Sequence, residues 1–274
     1  VAVDRITMDH LAVVSHYAWD NLIRYGYHLG GKWLGGPDND ESSDAGDAFY
    51  FCQVEFEAGT KVEILEAIPG EGSDFLRRFL HRNGPGPHHY TFKVPDFAEA
   101  LDRVRSAGYD VVGENSENPD WMEAFLHPKQ SHGIVIQLAR PGSDGDGWID
   151  ATPLPPSGRA ELPRLDRCFH LVSDLASATD LFANALAMDA IDEGKDDTGA
   201  YVDLVSAGWT LRLVQPSDPE LAHWLGDRAG RLHHAAFSVE EPATVPDARP
   251  LGDGVYEIPP ERNLGLRLIL RERA

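Results

Sequence analysis

Polar and apolar positions along this chain repeat on two scales. At the short scale, several stretches alternate with the period of a strand. Leu11/Val13, Val62/Ile64, Tyr90/Phe92/Val94 and Ile134/Ile136/Leu138 each put their apolar side chains on one face. Further strand-like runs cover Tyr50–Phe56, Lys61–Leu65, Trp121–Leu126 and Gly133–Leu138. Other stretches carry the helical period. Asp96 and Glu99 form a capping box before the stripe Phe97, Ala100, Leu101 and Val104, and Gly108 stops that helix. Ser73 stands before Phe75, Leu76, Phe79 and Leu80. Ser217, with Glu220, stands before Leu221, Trp224 and Leu225.

At the longer scale the chain repeats itself. Phe79-Leu80, a short turn and His88-His89 have a counterpart in Trp224-Leu225, a turn and His233-His234 at the same offset. Each His-His pair opens an apolar strand, Tyr90 to Val94 and Ala235 to Val239. A Pro/Gly/Asp-rich stretch separates the copies and predicts a linker over 141–164 between modules at 1–140 and 165–274. A finer repeat aligns Asp9-His10-Leu11 with His88-His89-Tyr90, so each module reads as two strand-helix-strand-strand-strand units. The fourth unit breaks the pattern, because Pro242, Pro246 and Pro250 forbid a normal helix there. The expected class is α+β: two tandem modules, each a pair of βαβββ units.

The alternation that buries the apolar face leaves His10, Glu63, His89 and Gln137 on the opposite one, one from each of four strands. Two imidazoles, a carboxylate and an amide oxygen suit Fe²⁺, Mn²⁺, Co²⁺, Ni²⁺ or Zn²⁺ with positions left for water or substrate. Each residue alone has a simpler explanation: a hydrogen-bonded strand histidine, a solvated glutamate, a cross-strand glutamine. The four together, with similar lengths of chain from His10 to Glu63 and from His89 to Gln137, predict a metal site. His88 points the other way and reads as structural.

Asp9-His10, Lys61-Val62-Glu63-Ile64-Leu65-Glu66, His88-His89, Phe125-Leu126-His127-Pro128-Lys129 and Gly133-Ile134-Val135-Ile136-Gln137-Leu138 resemble the vicinal-oxygen-chelate superfamily. That superfamily groups glyoxalases, bleomycin-resistance proteins and extradiol dioxygenases. The N-terminal module is most similar to the methylmalonyl-CoA epimerases. The resemblance covers most of 8–139 and, more weakly, 165–271. It implies curved mixed sheets forming a cleft around a divalent ion, with His10, Glu63, His89 and Gln137 as ligands. It also implies lyase or isomerase chemistry on a small carbonyl or thioester substrate through a metal-stabilised enolate, with Glu63 as proton shuttle. The departures matter. The last ligand of the epimerases and bacterial glyoxalases is normally Glu and here is Gln137, whereas the epimerase position matching Glu63 is commonly Gln. Carboxylate and amide are exchanged, and only one carboxylate is evident at the ion.

Aligned by the repeat, the second module offers Arg167, Arg212, His234 and Ile269 at the four positions, which cannot hold a divalent ion. Two readings stay open for it: a scaffold, or an anion pocket built on Arg167 and Arg212. Arg77, Arg78 and Arg82 are the basic cluster available to a CoA phosphate, although a solvated helix face explains them equally. Trp121, Met122 and Phe125 could line a cleft mouth, and Tyr50 and His127 could approach substrate. Asp38 to Asp47 reads as a solvated acidic loop, and Ser131-His132 lacks the elbow of a nucleophile.

Composition narrows the function. In 274 residues, Lys+Arg is 24 against Asp+Glu 45, a net charge of −21, which repels nucleic acid and anionic membranes. No apolar run has membrane-spanning length, and Cys52 and Cys168 do not form a disulfide framework, so a cytoplasmic location is expected. The expected partners are a small-molecule substrate and a second copy in a homodimer. Two alternatives to the lyase/isomerase reading are an Fe(II) extradiol-type dioxygenase and a non-catalytic protein that binds an antibiotic or metabolite.

Overall fold

A computed structural model describes residues 5–36, 49–68, 75–142, 154–206 and 209–273. Ser73 and the acidic stretch 38–47 lie outside them, as does much of the expected linker. The first repeat unit supplies β1 (Thr7–Ser15), β2 (Lys32–Gly35), β3 (Phe49–Glu55) and β4 (Lys61–Ala67), with α1 (Ala18–Leu22) after β1. Helix α2 (Phe75–Asn83) leads to the second unit: β5 (Gly86–Lys93), α3 (Phe97–Ser106), β6 (Val111–Asn115), β7 (Trp121–Leu126) and β8 (Val135–Pro141). These strands form one eight-stranded mixed sheet in the order β2-β3-β4-β1-β5-β8-β7-β6. The order is a mirrored pair of four-stranded units meeting at β1 and β5, as the finer repeat predicts.

The second half builds a sheet of the same plan. Its strands are β9 (Arg164–Val172), β10 (Asp189–Lys195), β11 (Gly199–Ser206), β12 (Trp209–Pro216), β13 (Gly230–Val239), β14 (Arg249–Gly252), β15 (Val255–Ile258) and β16 (Arg267–Glu272). Their order is β10-β11-β12-β9-β13-β16-β15-β14. Helices α4 (Leu175–Thr179) and α5 (Pro219–Leu225) repeat the places of α1 and α2. The fourth unit has a 3₁₀ turn at Pro242–Thr244 in place of a helix, and Pro250 sits on the edge strand β14, where a missing N–H costs no ladder bond. The repeat extends to detail. Both α1 and α4 run on into a π-helical turn, closed by Leu29 N–H to the Arg24 carbonyl and by Leu186 N–H to the Leu181 carbonyl.

Caps follow the sequence closely. Asp96 accepts from the Glu99 N–H at 2.9 Å and starts α3. The cap of α5 is Asp218 and not Ser217: its carboxylate accepts from the N–H groups of Glu220 and Leu221, while Pro219 occupies the first helical position. A carboxylate one residue nearer the helix outcompetes the serine, and it also suits the positive end of the dipole.

By spatial packing the described residues fall into two compact units. One draws on Val1–Asp9, His89–Gly145 and Asp166–Ala235; the other on His10–His88, Asp146–Leu165 and Ala236–Ala274. The core of the first packs the tilted rings of Tyr90 and Phe92 against Trp209, with ring centroids 5.7 and 6.4 Å apart. In the second, Phe237 packs on Tyr25 and Phe56, and the buried Arg24 donates to the Pro246 carbonyl and the Asp247 carboxylate. The described part of the linker belongs to this unit: Leu154 is buried and Arg159 donates to the His28 carbonyl at 3.1 Å. Among the described residues no helix is long and apolar enough to cross a membrane.

Candidate metal centre

The apolar faces read from the sequence are buried throughout: Leu11, Val13, Val62, Ile64, Tyr90, Phe92, Ile136 and Leu138 are nearly or fully inaccessible. The opposite face is not uniformly polar. Beyond His10 on β1 come Ala12 and Val14, and beyond Glu63 on β4 comes Leu65. Helix α2 seats Leu76 and Leu80 on these three. Phe49, Phe51, Phe75 and Phe79 enlarge the cluster, so an apolar wall begins beside His10 and Glu63. His88 packs edge-on to Phe79 at 4.9 Å and against Phe75, a structural role.

His10, Glu63, His89 and Gln137 are all buried, between 1% and 9% exposed. β1 and β4 run parallel with Ala12 beside Glu63, which brings the His10 Nε2 to 3.3 Å from the Glu63 Oε2. The other carboxylate oxygen, Oε1, accepts from the Gln53 Nε2 at 3.2 Å, because β3 pairs Gln53 directly with Glu63. His89, near the start of β5, completes a group in which ligand atoms of His10, Glu63 and His89 all lie within 4.8 Å of one another. Two imidazoles and one carboxylate at that spacing fit a divalent first-row ion.

Gln137 is placed by β5 and β8, which run parallel with Thr91 beside it. Its Oε1 accepts from the Thr91 hydroxyl at 2.5 Å, and its Nε2 donates to the Glu123 Oε2 at 2.7 Å. The same oxygen of Glu123 accepts from the Trp121 indole N–H at 3.0 Å. Gln53, Thr91 and Glu123 escape a reading of the sequence because cross-strand register selects them; Trp121 enters here as a donor to a carboxylate.

The remaining candidates stand apart. Tyr50 is three residues from Gln53, hence on the other face of β3, and is 37% exposed. His127 accepts from the Lys129 N–H in a turn, and the Ser131 hydroxyl donates to the carbonyls of His127 and Ile134. Arg77, Arg78 and Arg82 are exposed on α2.

At the matching place in the second half an ion pair stands instead. Arg212 donates to both oxygens of Asp203, at 2.7 and 2.6 Å, and reaches Asp196 at 3.2 Å. Its guanidinium lies 4.0 Å over the Tyr201 ring, and hydrogen bonding to Asp203 raises its pKa further. Arg167 is 3.8 Å from the same Asp203. His234 stacks on Phe169 with centroids 4.7 Å apart, and Ile269 pairs with Glu257 across β15 and β16. Arg212, with its fork filled by Asp203, has no free bidentate face for an outside anion, which favours the scaffold reading.

Comparison with known proteins agrees with this geometry. The family profile described as the Glyoxalase/Bleomycin resistance protein/Dioxygenase superfamily matches residues 9–125. An ethylmalonyl-CoA/methylmalonyl-CoA epimerase of Cereibacter sphaeroides is 30% identical over 135 residues, covering 48% of this chain and 95% of the relative. The whole tandem fold is shared with a 4-hydroxymandelate synthase mutant from Streptomyces coelicolor (TM-score 0.66, 14% identity, 99% of this chain and 95% of that one). A hypothetical protein from Staphylococcus aureus has it too (TM-score 0.59, 11% identity, 98% and 99%). With mirrored four-stranded units, a histidine–glutamate cluster on their polar face and a relative aligned over nearly its full length, the chain belongs to the glyoxalase/bleomycin resistance protein/dioxygenase superfamily.

Proposed function

We propose that residues 1–140 form a metal-binding module in which His10, Glu63, His89 and Gln137 hold a divalent ion, and that 165–274 form a degenerate module without one. The protein then acts as a lyase or isomerase of the glyoxalase/epimerase type on a small carbonyl or thioester substrate. The carrying observation is the buried cluster of His10, Glu63 and His89. A bound divalent ion supplies Lewis acidity toward a carbonyl oxygen and favours loss of a proton from the neighbouring carbon.

The chain's own residues set the rest. Gln53 donates to Oε1 of Glu63, while Oε2 faces the His10 Nε2 at 3.3 Å and is the oxygen assigned here to hold an ion or carry a proton. The wall formed by Ala12, Val14, Leu65 and α2 is packed shut and keeps water from one side of the cluster. Kinship with an epimerase named for CoA thioesters supports a thioester. The surface charge of −21 works against the CoA phosphates and makes a smaller carbonyl compound an equal candidate.

A second reading rests on a specific observation. Two histidines and one carboxylate are also the facial set of non-haem Fe(II) oxygenases, which would make this an extradiol-type dioxygenase. Metal analysis of protein purified without added metal separates the readings. About one ion per chain, lost in His10→Ala and His89→Ala, supports the metal module, and a metal-free wild type that stays metal-free after loading refutes it. Solvent deuterium entering a thioester or ketone then indicates the lyase/isomerase, and oxygen uptake with a catechol indicates the dioxygenase. Ligand binding indifferent to chelators, with neither activity, indicates a sequestering protein.

A further inference from the structure

The two wings of the first sheet carry the same pair of side chains in exchanged order. In the strand order, β4 and β8 are equivalent, and so are β3 and β7 one strand further out. On one wing the inner residue is the carboxylate Glu63 and the outer one the amide Gln53, whose Nε2 donates to it at 3.2 Å. On the other wing the inner residue is the amide Gln137 and the outer one the carboxylate Glu123, which accepts from its Nε2 at 2.7 Å. Each wing therefore holds one amide and one carboxylate joined by the same kind of bond. The register differs between the wings: Gln53 pairs directly with Glu63, whereas Glu123 pairs with Ala139 and reaches Gln137 across the diagonal.

We propose that Glu123 is a positioning residue for the metal centre: it fixes the orientation of the Gln137 amide and so decides which of its two heavy atoms faces the ion. This rests on the reading of Gln137 as a ligand. An ionised carboxylate only accepts hydrogen bonds, so the amide must turn its NH₂ toward Glu123. The carbonyl oxygen is then directed to the other side, where the Thr91 hydroxyl donates to one lone pair at 2.5 Å and the second is left for an ion. Thr91 alone cannot enforce this, because a hydroxyl accepts as readily as it donates. The Trp121 indole, donating to the same Glu123 oxygen at 3.0 Å, holds the carboxylate in place. An amide turned the wrong way would offer the ion two N–H hydrogens and no lone pair.

The test uses full-length protein and Co²⁺, with affinity read by calorimetry and the ligand set by the visible d–d absorption. Glu123→Ala is expected to weaken Co²⁺ binding by about 10- to 100-fold, the usual effect of losing a partner that orients a ligand. It should also change the absorption band, while Glu123→Gln, whose side-chain oxygen still accepts from Gln137, keeps most of the affinity. A second measurement covers a failure of Glu123→Ala to fold. In the cycle of Glu123→Gln, Gln137→Glu and the double substitution, which puts the carboxylate on the inner strand and the amide on the outer one, the changes in log affinity should be non-additive. Additive changes, or an unchanged affinity and spectrum in Glu123→Ala, overturn the inference while leaving the metal module standing. A wild type that binds no Co²⁺ overturns both.

Discussion

Asp203 offers the sharpest test of the ion pair that stands in the second half at the place matching Gln53 and Glu63. Asp203→Ala removes the partner that the Nε and Nη2 of Arg212 both use, at 2.7 and 2.6 Å, from an environment where the two side chains are 14% and 6% exposed. Breaking one side of a buried pair costs about 3–5 kcal/mol, because the survivor keeps its desolvation penalty and loses its compensation. Asp196, 3.2 Å away and a third exposed, remains as a partial partner, and the Thr198 hydroxyl bond keeps it ionised below the ordinary carboxylate range. The expected loss is therefore near the low end, about 3 kcal/mol. Replacing both members by leucine removes both desolvated charges at once and should cost no more than about 1 kcal/mol. Urea unfolding of the three proteins at equal m-value measures this, and the single substitution should lower the melting temperature by about 6–12 °C. Metal content should not change in either variant. A single substitution that costs under about 0.5 kcal/mol, or a double that costs as much as the single, would refute the view of Arg212 and Asp203 as an internal strut.

Two further outcomes follow from buried groups and close approaches. His170 is fully buried, with its Nε2–H donating to the His132 carbonyl at 2.8 Å, and burial pushes its pKa down to about 4. The folded state thus disfavours the proton that the unfolded chain takes up near 6.5. Stability should be full above about pH 6.5 and fall by about 3 kcal/mol as pH drops toward 4. Unfolding midpoints for wild type and His170→Gln between pH 7.5 and 4.5 check this, and an equally steep decline in both would exclude His170 as the cause. Gly133 and Gly265 have φ of +84° and +90°, and a Cβ there would lie 1.9 Å from the Gly230 carbonyl oxygen and 1.7 Å from the Pro85 one. Gly59 has a similar φ of +76° with nothing within 4 Å. Gly59→Ala should cost about 1 kcal/mol and the other two distinctly more, since backbone must move as well; equal costs by urea titration would show that conformation alone matters.

The elements of the fold were legible because they rest on local physics. Alternation marked the buried faces of β1, β4, β5 and β8, the Asp96 cap located α3, and three prolines removed the helix of the fourth unit. The misplacement of a cap on Ser217 has the same origin, since two neighbouring oxygen side chains offer the same signal and only geometry ranks them. The candidate site was half legible. His10 and Glu63 announce themselves as polar residues on an apolar strand pattern, and the structure brings them to 3.3 Å. Gln53, Thr91 and Glu123 do not, because a polar residue on a half-buried strand is ordinary until the strand beside it and its register are known.

The sequence by itself determined the repeat, the four-unit plan, the ligand-type residues of the first half and their loss in the second. These depend on side-chain type and on periods of two and about four residues, which survive without any long-range contact. Only the tertiary structure decided which residues meet across strands: Gln53 on Glu63, Glu123 on Gln137, Asp203 on Arg212. It also decided that α2 packs on the face of β1 and β4 that carries His10 and Glu63, and that each compact unit draws on both halves of the chain. Register and packing partner are set by the burial of whole faces at once, and no local pattern encodes a choice made collectively by strands far apart in the chain.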